Sequence, residues 1–233
     1  MIFKELIPHL TALTCLSEAS GGNTFDETLF GLIADDIEKQ GYSIRPGAVP
    51  DTIADSLFSF QQNLSTNKYM DAGIGRGDDF LKTESVRTDE IHWITADSNA
   101  GKKWLNWMAG LQRTLNQRHF LGLFSFESHY SHYAPGAYYK RHYDAFRGET
   151  NRVLSVVTYL NPAWGNADGG ELVLYHNDQD HEGVKVVPLY GTLVVFLSEA
   201  FPHEVLPAIR DRYSVAGWFR VNASIDNKID PPR

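Results

Sequence analysis

A chain of 233 residues, 42% of them hydrophobic, can bury one sizeable core or form a barrel carrying appended helices. Its formal net charge of −8 and pI of about 5.5 disfavour nucleic acid or an anionic membrane surface as the main partner, because neither would find a basic excess to bind. One cysteine, Cys15, excludes an intrachain disulfide and a thiolate metal cluster, and no apolar run is long enough to span a membrane, so a reducing, cytoplasmic setting is expected.

In chain order, Phe3, Leu6, Ile7, Leu10 and Leu13 follow helical spacing and predict an amphipathic packing helix. A secretory signal is the alternative reading of Leu6 to Leu16 behind Lys4, but Glu5, Pro8, His9, Thr11 and Thr14 weaken it. Ser17 to Thr24 reads as a loop, so residues 1–24 are an N-terminal extension, 25–222 a single domain and 223–233 a polar tail. A helix is predicted from Phe25 to Gln40, with Leu29, Leu32, Ile33 and Ile37 on one face and Gly41 as its stop. Tyr42–Ile44 is a short strand. Pro50 and Asp51 open a second helix with Ile53, Leu57 and Phe60 on its apolar face. In a third helix Trp104, Trp107, Met108, Leu111 and Leu115 recur at helical spacing, which makes the tryptophans core anchors rather than a ligand box.

Between the second and third helices, Asp71 to Asp79 has glycines at positions 73, 75 and 77 that faintly imitate a phosphate loop. No Gly-Lys-Ser/Thr follows, and the aspartates would repel phosphate, so the segment reads as the tip of a mobile β-finger. Arg76-Gly-Asp78 within it is uninformative. From Phe120 onward the texture is short β runs: Phe120–Tyr130, Tyr138–His142, Arg152–Leu160, Glu171–Tyr175, Lys185–Pro188, Thr192–Leu197 and Tyr213–Val221. Helices first and many strands later predict a mainly β fold, a double-stranded β-helix or jelly roll with a helical layer packed on one sheet.

A His-x-Asp pair on extended backbone puts an imidazole and a carboxylate on the same face, because strand side chains alternate with period two. With a third ligand from elsewhere they form a facial triad that binds Fe(II) and leaves positions open for co-substrate and O2. The pattern alone is weak: 9 His and 17 Asp in this length give roughly 0.7 chance occurrences, and two are present, His142-Tyr-Asp144 and His176-Asn-Asp178. The downstream company separates them. His203 follows His142 by 61 residues, room for several strands, but follows His176 by only 27. Arg212 comes nine residues after His203 on the last strong strand, where its fork could grip the distal carboxylate of 2-oxoglutarate, with the Ser214 hydroxyl facing the same way. The metal set is therefore His142, Asp144 and His203, and His176 and Asp178 are a solvated loop.

These features, together with Val86-Arg-Thr-Asp-Glu-Ile-His-Trp93, Tyr133-Ala-Pro-Gly136, Tyr139-Lys-Arg-His142, Tyr159-Leu-Asn161, Gly169-Gly170 and Trp218, resemble the prolyl 4-hydroxylase branch of the Fe(II)/2-oxoglutarate oxygenases. That branch is related to the hypoxia-sensing prolyl hydroxylase domains, including their bacterial members, and the resemblance runs from about Glu27 to Val221. It implies that Tyr159 donates to the 2-oxoglutarate carboxylate beside Arg212, with Tyr139 and Trp218 in the same pocket. It further implies that Tyr133 lies near the iron's water or O2 site, and that Arg87, Asp89 and Trp93 bind substrate beside the finger. Structural alternatives stand beside these roles: Arg212 as a buried ion-pair partner, the three tyrosines as barrel core, Asp89 as a surface charge. Residues 177–183 and the stretch through Gly22 depart from the family pattern.

The activity implied is oxidative decarboxylation of 2-oxoglutarate to succinate and CO2, coupled to 4-hydroxylation of a prolyl residue in a protein, with ascorbate as reductant. By analogy with bacterial relatives, elongation factor Tu is the first partner to test. The rival readings are an oxygenase of free proline or a peptide metabolite, and a non-catalytic metal or 2-oxoglutarate sensor.

Overall fold

The computed structural model describes residues 24–64, 69–71, 86–145 and 151–222. The expected N-terminal amphipathic helix, the finger tip with Gly73, Gly75 and Gly77, and the tail after Asn222 lie outside the described residues. The elements run α1 (Thr24–Gln40), β1 (Tyr42–Arg45), α2 (Asp51–Gln62), β2 (Met70–Asp71), β3 (Glu90–Trp93), α3 (Asn99–His119), β4 (Leu123–Tyr133), β5 (Tyr139–His142), β6 (Arg152–Tyr159), β7 (Leu172–Leu174), β8 (Val184–Val186), β9 (Leu193–Leu197), β10 (His203–Val205) and β11 (Arg212–Val221).

The helices form where the apolar periodicity places them. Leu29, Phe30, Ile33, Ala34 and Ile37 of α1 are buried, and Gly41 ends the helix at φ +83°, a backbone region open to glycine, where its N–H still reaches Ile37 O. Leu32 departs from expectation: it is 44% exposed, because it sits off the stripe that Leu29, Ile33 and Ile37 make. Ser98 caps α3 by accepting from the Gly101 N–H at 2.9 Å. Trp104 and Trp107 are buried core anchors: Trp104 donates to Ser128 Oγ, and Trp107 packs on Phe30 and donates to Asp26 Oδ1.

The strands form two antiparallel sheets. The larger has the order β1-β9-β6-β11-β4-β3-β2 and the smaller β5-β10-β7-β8, the double-stranded β-helix, with the three helices alongside the larger sheet. Period-two alternation splits that sheet into two faces. Phe126 and Phe219, cross-strand partners, pack with Trp104 of α3, and Tyr130 stacks on Phe60 of α2, so this set faces the helices. The intervening residues His129, Ser131, Tyr133, Arg212, Ser214, Trp218, Ser155 and Tyr159 line the other face, toward the smaller sheet. One face is thus apolar core and the other carries polar chemistry.

Strand boundaries shift by up to three residues from expectation, and β10 is not expected at all. β4 starts at Leu123 rather than Phe120, because Phe120 caps α3 in the left-handed region (φ +53°) and the chain turns there. β10, which pairs with both β5 and β7, is a strand that the sequence pattern does not reveal. At the outer edge of β5, Arg87 bridges Tyr139, Thr88 N–H donates to Tyr138 O and Lys140 N–H to Val86 O. No helix among the described residues is long and apolar enough to cross a membrane.

Candidate metal centre and co-substrate pocket

The register of the smaller sheet builds the centre. His142, at the end of β5, is the direct cross-strand partner of His203, at the start of β10, and their rings lie 4.3 Å apart. Asp144, two residues beyond His142, turns its carboxylate between them, with His142 Nε2 at 3.7 Å from Oδ1 and His203 Nε2 at 3.5 Å from Oδ2. The three ligand atoms lie within 4.8 Å of one another, and among the described residues this is the one His, Cys, Asp and Glu group of three or more with metal-binding spacing.

The surroundings prepare the ligands. His142 Nδ1 lies 2.7 Å from Lys140 O and His203 Nδ1 3.1 Å from Phe201 O. A carbonyl only accepts, so each Nδ1 carries the proton and each Nε2 offers its lone pair to the centre. Burial, reinforced by the neighbouring His142, lowers the His203 pKa to about 4 against the pull of Asp144, so its ring is neutral at pH 7. Burial opposes the charge of Asp144, but His203, His142 and Arg152 outweigh it and hold the carboxyl well below its ordinary range. Ser155 Oγ donates to Asp144 Oδ2 at 2.6 Å and fixes its orientation. An imidazole pair and one carboxylate on a shared face suit Fe(II) with positions left open.

Beside this centre the larger sheet presents donors without acceptors. Arg212 is 1% exposed; its Nε donates to Gly170 O at 2.8 Å and Nη1 to Ser214 Oγ at 3.2 Å. Gly170, at φ +72°, lets the chain press that carbonyl against the arginine, where an added Cβ would come 3.1 Å from Arg212 Cδ. The Arg212 guanidinium lies 5.0 Å from the Tyr133 ring and 5.2 Å from the Tyr159 ring. The Tyr159 hydroxyl and Trp218 Nε1 are enclosed and, among the described residues, have no hydrogen-bond partner of good geometry. Buried donors left open in this way call for an acceptor-rich ligand, and a dicarboxylate such as 2-oxoglutarate fits that demand.

Of the remaining predicted residues, Tyr139 stacks on His142 at 3.6 Å, and burial pushes its hydroxyl up to about 12. Burial and Asp89 raise Tyr133 well above its ordinary value, against Arg87 and Arg212. Arg87 and Asp89 form a bidentate pair at 2.7 and 2.6 Å, with Arg87 over the Tyr139 ring. Trp93 meets the His129 ring edge-on at 5.3 Å. The second His-x-Asp is elsewhere: His176 lies near the rings of Tyr42 and Phe201, and Asp178 accepts from the Tyr143 hydroxyl at 3.1 Å. Sequence reasoning missed Ser155, Arg152 and His129. Two-residue steps back from Tyr159 and Tyr133 would have placed Ser155 and His129 on the pocket face.

The fold and the site define a 2-oxoglutarate/Fe(II) oxygenase, and the profile of the 2OG-Fe(II) oxygenase superfamily matches residues 128–220. A crystal structure of a Pseudomonas putida prolyl-4-hydroxylase is 36% identical, covers 83% of this chain and all of its own, and superposes with a TM-score of 0.74. Trichoplax adhaerens prolyl hydroxylase, solved with a hypoxia inducible factor peptide fragment, is 25% identical over 84% of this chain and 91% of its own, with a TM-score of 0.71. A Xenopus laevis prolyl 3-hydroxylase is 34% identical over 90 residues, 35% of this chain, and the match spans only 17% of that relative's length. The chain belongs to the prolyl 4-hydroxylase type of 2-oxoglutarate-dependent dioxygenases.

Proposed function

We propose that residues 25–222 form a single catalytic domain that 4-hydroxylates a prolyl residue in a protein substrate, consuming 2-oxoglutarate and O2 and releasing succinate and CO2. The observation that carries this reading is the conjunction of the His142/Asp144/His203 cluster with the buried Arg212 guanidinium and the enclosed Tyr159 hydroxyl on the facing sheet. When bound, Fe(II) and 2-oxoglutarate supply the oxidising chemistry, with ascorbate as the reductant that keeps iron ferrous. The chain's own residues do the rest. The two Nε2 atoms and the Asp144 carboxylate hold the metal, Arg212 and Tyr159 grip the distal carboxylate, and the buried walls exclude water. The intact triad with Arg212 beside it favours this reading over a non-catalytic metal or 2-oxoglutarate sensor.

A polypeptide suits the entrance better than a free amino acid. β2 and β3 pair at Met70–Ile91 and Asp71–Glu90, where the expected finger would begin and end, and the Trichoplax relative was solved with a peptide. Elongation factor Tu in the cytoplasm is the first partner to test. Mass spectrometry of the proteome with and without the enzyme should find a gain of roughly 16 Da, one oxygen atom, on a specific proline. If no protein changes while purified enzyme hydroxylates free proline or another metabolite, the small-molecule reading replaces this one.

A further inference from the structure

The pocket face of the larger sheet carries one group whose polarity is opposite to the rest. Tyr159 OH and Trp218 Nε1 are donors awaiting acceptors. His129, on β4 at the same sheet level as Ala216 of β11, offers an acceptor instead. Its Nδ1 lies 3.2 Å from Tyr130 O and 3.1 Å from Ser131 Oγ. The carbonyl can only accept, so Nδ1 bears the proton and Nε2 is left with a lone pair. Among the described residues Nε2 makes no hydrogen bond, and it is not one of the sealed, unsatisfied polar atoms. On the pocket face of β4 it is therefore not closed off from the site. The ring is held from two sides, edge-on by Trp93 at 5.3 Å and at 54° by Trp218 at 5.5 Å, so its direction is fixed. Trp218 is in register with Ser155, which grips the metal-ligating Asp144, and so His129 sits within the reaction chamber's wall.

A 2-oxoglutarate dianion has only acceptors to offer and cannot satisfy this nitrogen. The donor must come from the substrate. Burial first, then the guanidinium groups of Arg87 and Arg152, keep the imidazole uncharged, with Asp89 opposing. Each of these cations has its own carboxylate, Arg87 with Asp89 and Arg152 with Glu127, so no free negative charge is left to attract an ammonium, and a neutral amide N–H is the fitting partner. A prolyl residue within a chain has no N–H of its own, so that amide belongs to a neighbour.

We propose that His129 is a specificity-determining residue whose Nε2 accepts a hydrogen bond from a backbone N–H of the polypeptide, adjacent to its target proline. The proposal rests on the prolyl-residue reading of the function. It is tested with a pool of synthetic peptides bearing one central proline and randomised flanks, turned over by the iron- and 2-oxoglutarate-loaded enzyme. His129→Leu, which removes the acceptor, should lower kcat/KM on the pool about tenfold, as loss of one buried hydrogen bond does. The loss should fall on the peptide KM rather than the 2-oxoglutarate KM. His129→Gln, whose carbonyl reaches a similar position, should recover most of it. Equal behaviour of the Leu and Gln variants, or a loss confined to the 2-oxoglutarate KM, overturns the proposal while peptide hydroxylation by wild type upholds the function. If wild type forms succinate but hydroxylates no peptide, the prolyl reading itself fails. A second measurement stands apart from turnover and from the variants' folding: nitrogen NMR of the imidazoles in enzyme carrying Zn(II) and 2-oxoglutarate. Protonated Nδ1 and bare Nε2 at His129 are expected, and a proton on Nε2 overturns the assignment.

Discussion

Replacing Arg212 by alanine is the sharpest perturbation of the co-substrate pocket. The side chain is 1% exposed and none of its hydrogen-bond partners among the described residues is a carboxylate, so a carboxylate arriving there makes a charge-assisted pair out of reach of solvent. Truncating one member of such a pair costs on the order of 2–5 kcal/mol, or about 30-fold to several thousandfold in 2-oxoglutarate affinity. The substitution also leaves Gly170 O and Ser214 Oγ without their donor, so some loss of stability is expected and must be separated from the binding effect. Thermal unfolding with and without 2-oxoglutarate does this in one experiment. A ligand at about a hundred times its Kd stabilises the native state by about 2.7 kcal/mol, and the variant should show almost none of that increment at the same concentration. Metal retention should survive, because none of the three ligands touches Arg212. An unchanged ligand-induced shift, or an unchanged KM for 2-oxoglutarate, would refute the reasoning and make Arg212 structural.

Three further outcomes are expected. His142→Ala, Asp144→Ala and His203→Ala should each abolish turnover and Fe(II) retention with the fold kept, while His176→Ala stays near wild type; metal content by mass spectrometry and circular dichroism decide this. Ser155→Ala frees Asp144 Oδ2 from a 2.6 Å contact and should weaken metal affinity about 10- to 100-fold, read by competition with a chelator. Stability should fall with pH through His129. Its folded pKa is lowered to about 4 from an ordinary 6.5, so the unfolded chain takes up the proton first and stability declines as pH drops from about 6.5 toward 4. The full effect is about 3 kcal/mol, and urea unfolding of wild type and His129→Gln across that range should show a shallower decline in the variant. Parallel curves for the two proteins would mean that the imidazole is not the titrating group.

Much of the site was legible because its chemistry is tied to strand periodicity. His142 and Asp144 share a face by being two apart, and Arg212 and Ser214 do so for the same reason. What periodicity could not supply was the partner strand. β10 has three residues, His-Glu-Val, between Pro202 and Pro207, too few to show alternation, so His203 was found by its company and not by its element. The structure adds a second reason to set aside the rival His176/Asp178, beyond its spacing from His203. β7 ends at Leu174, and the following turn is organised by Asp180, which accepts from the backbone N–H groups of His176, Glu182 and Gly183. Ser155 and His129 were missed because a polar residue in a strand carries no signal until it is known which face is the pocket.

The antiparallel bridge between residues 86–88 and the outer edge of β5 bears on aggregation. An edge strand with bare N–H and C=O groups is a template for pairing with other chains, and β5 would otherwise be the exposed end of the smaller sheet. It is also the strand where an intruder would do most harm, since it delivers His142. Val86 and Thr88 take up the Lys140 and Tyr138 backbone groups, so the protein's own chain occupies the template. Over residues 138–140, the run that leads into the ligand His142, the place a foreign strand would take is already filled from within.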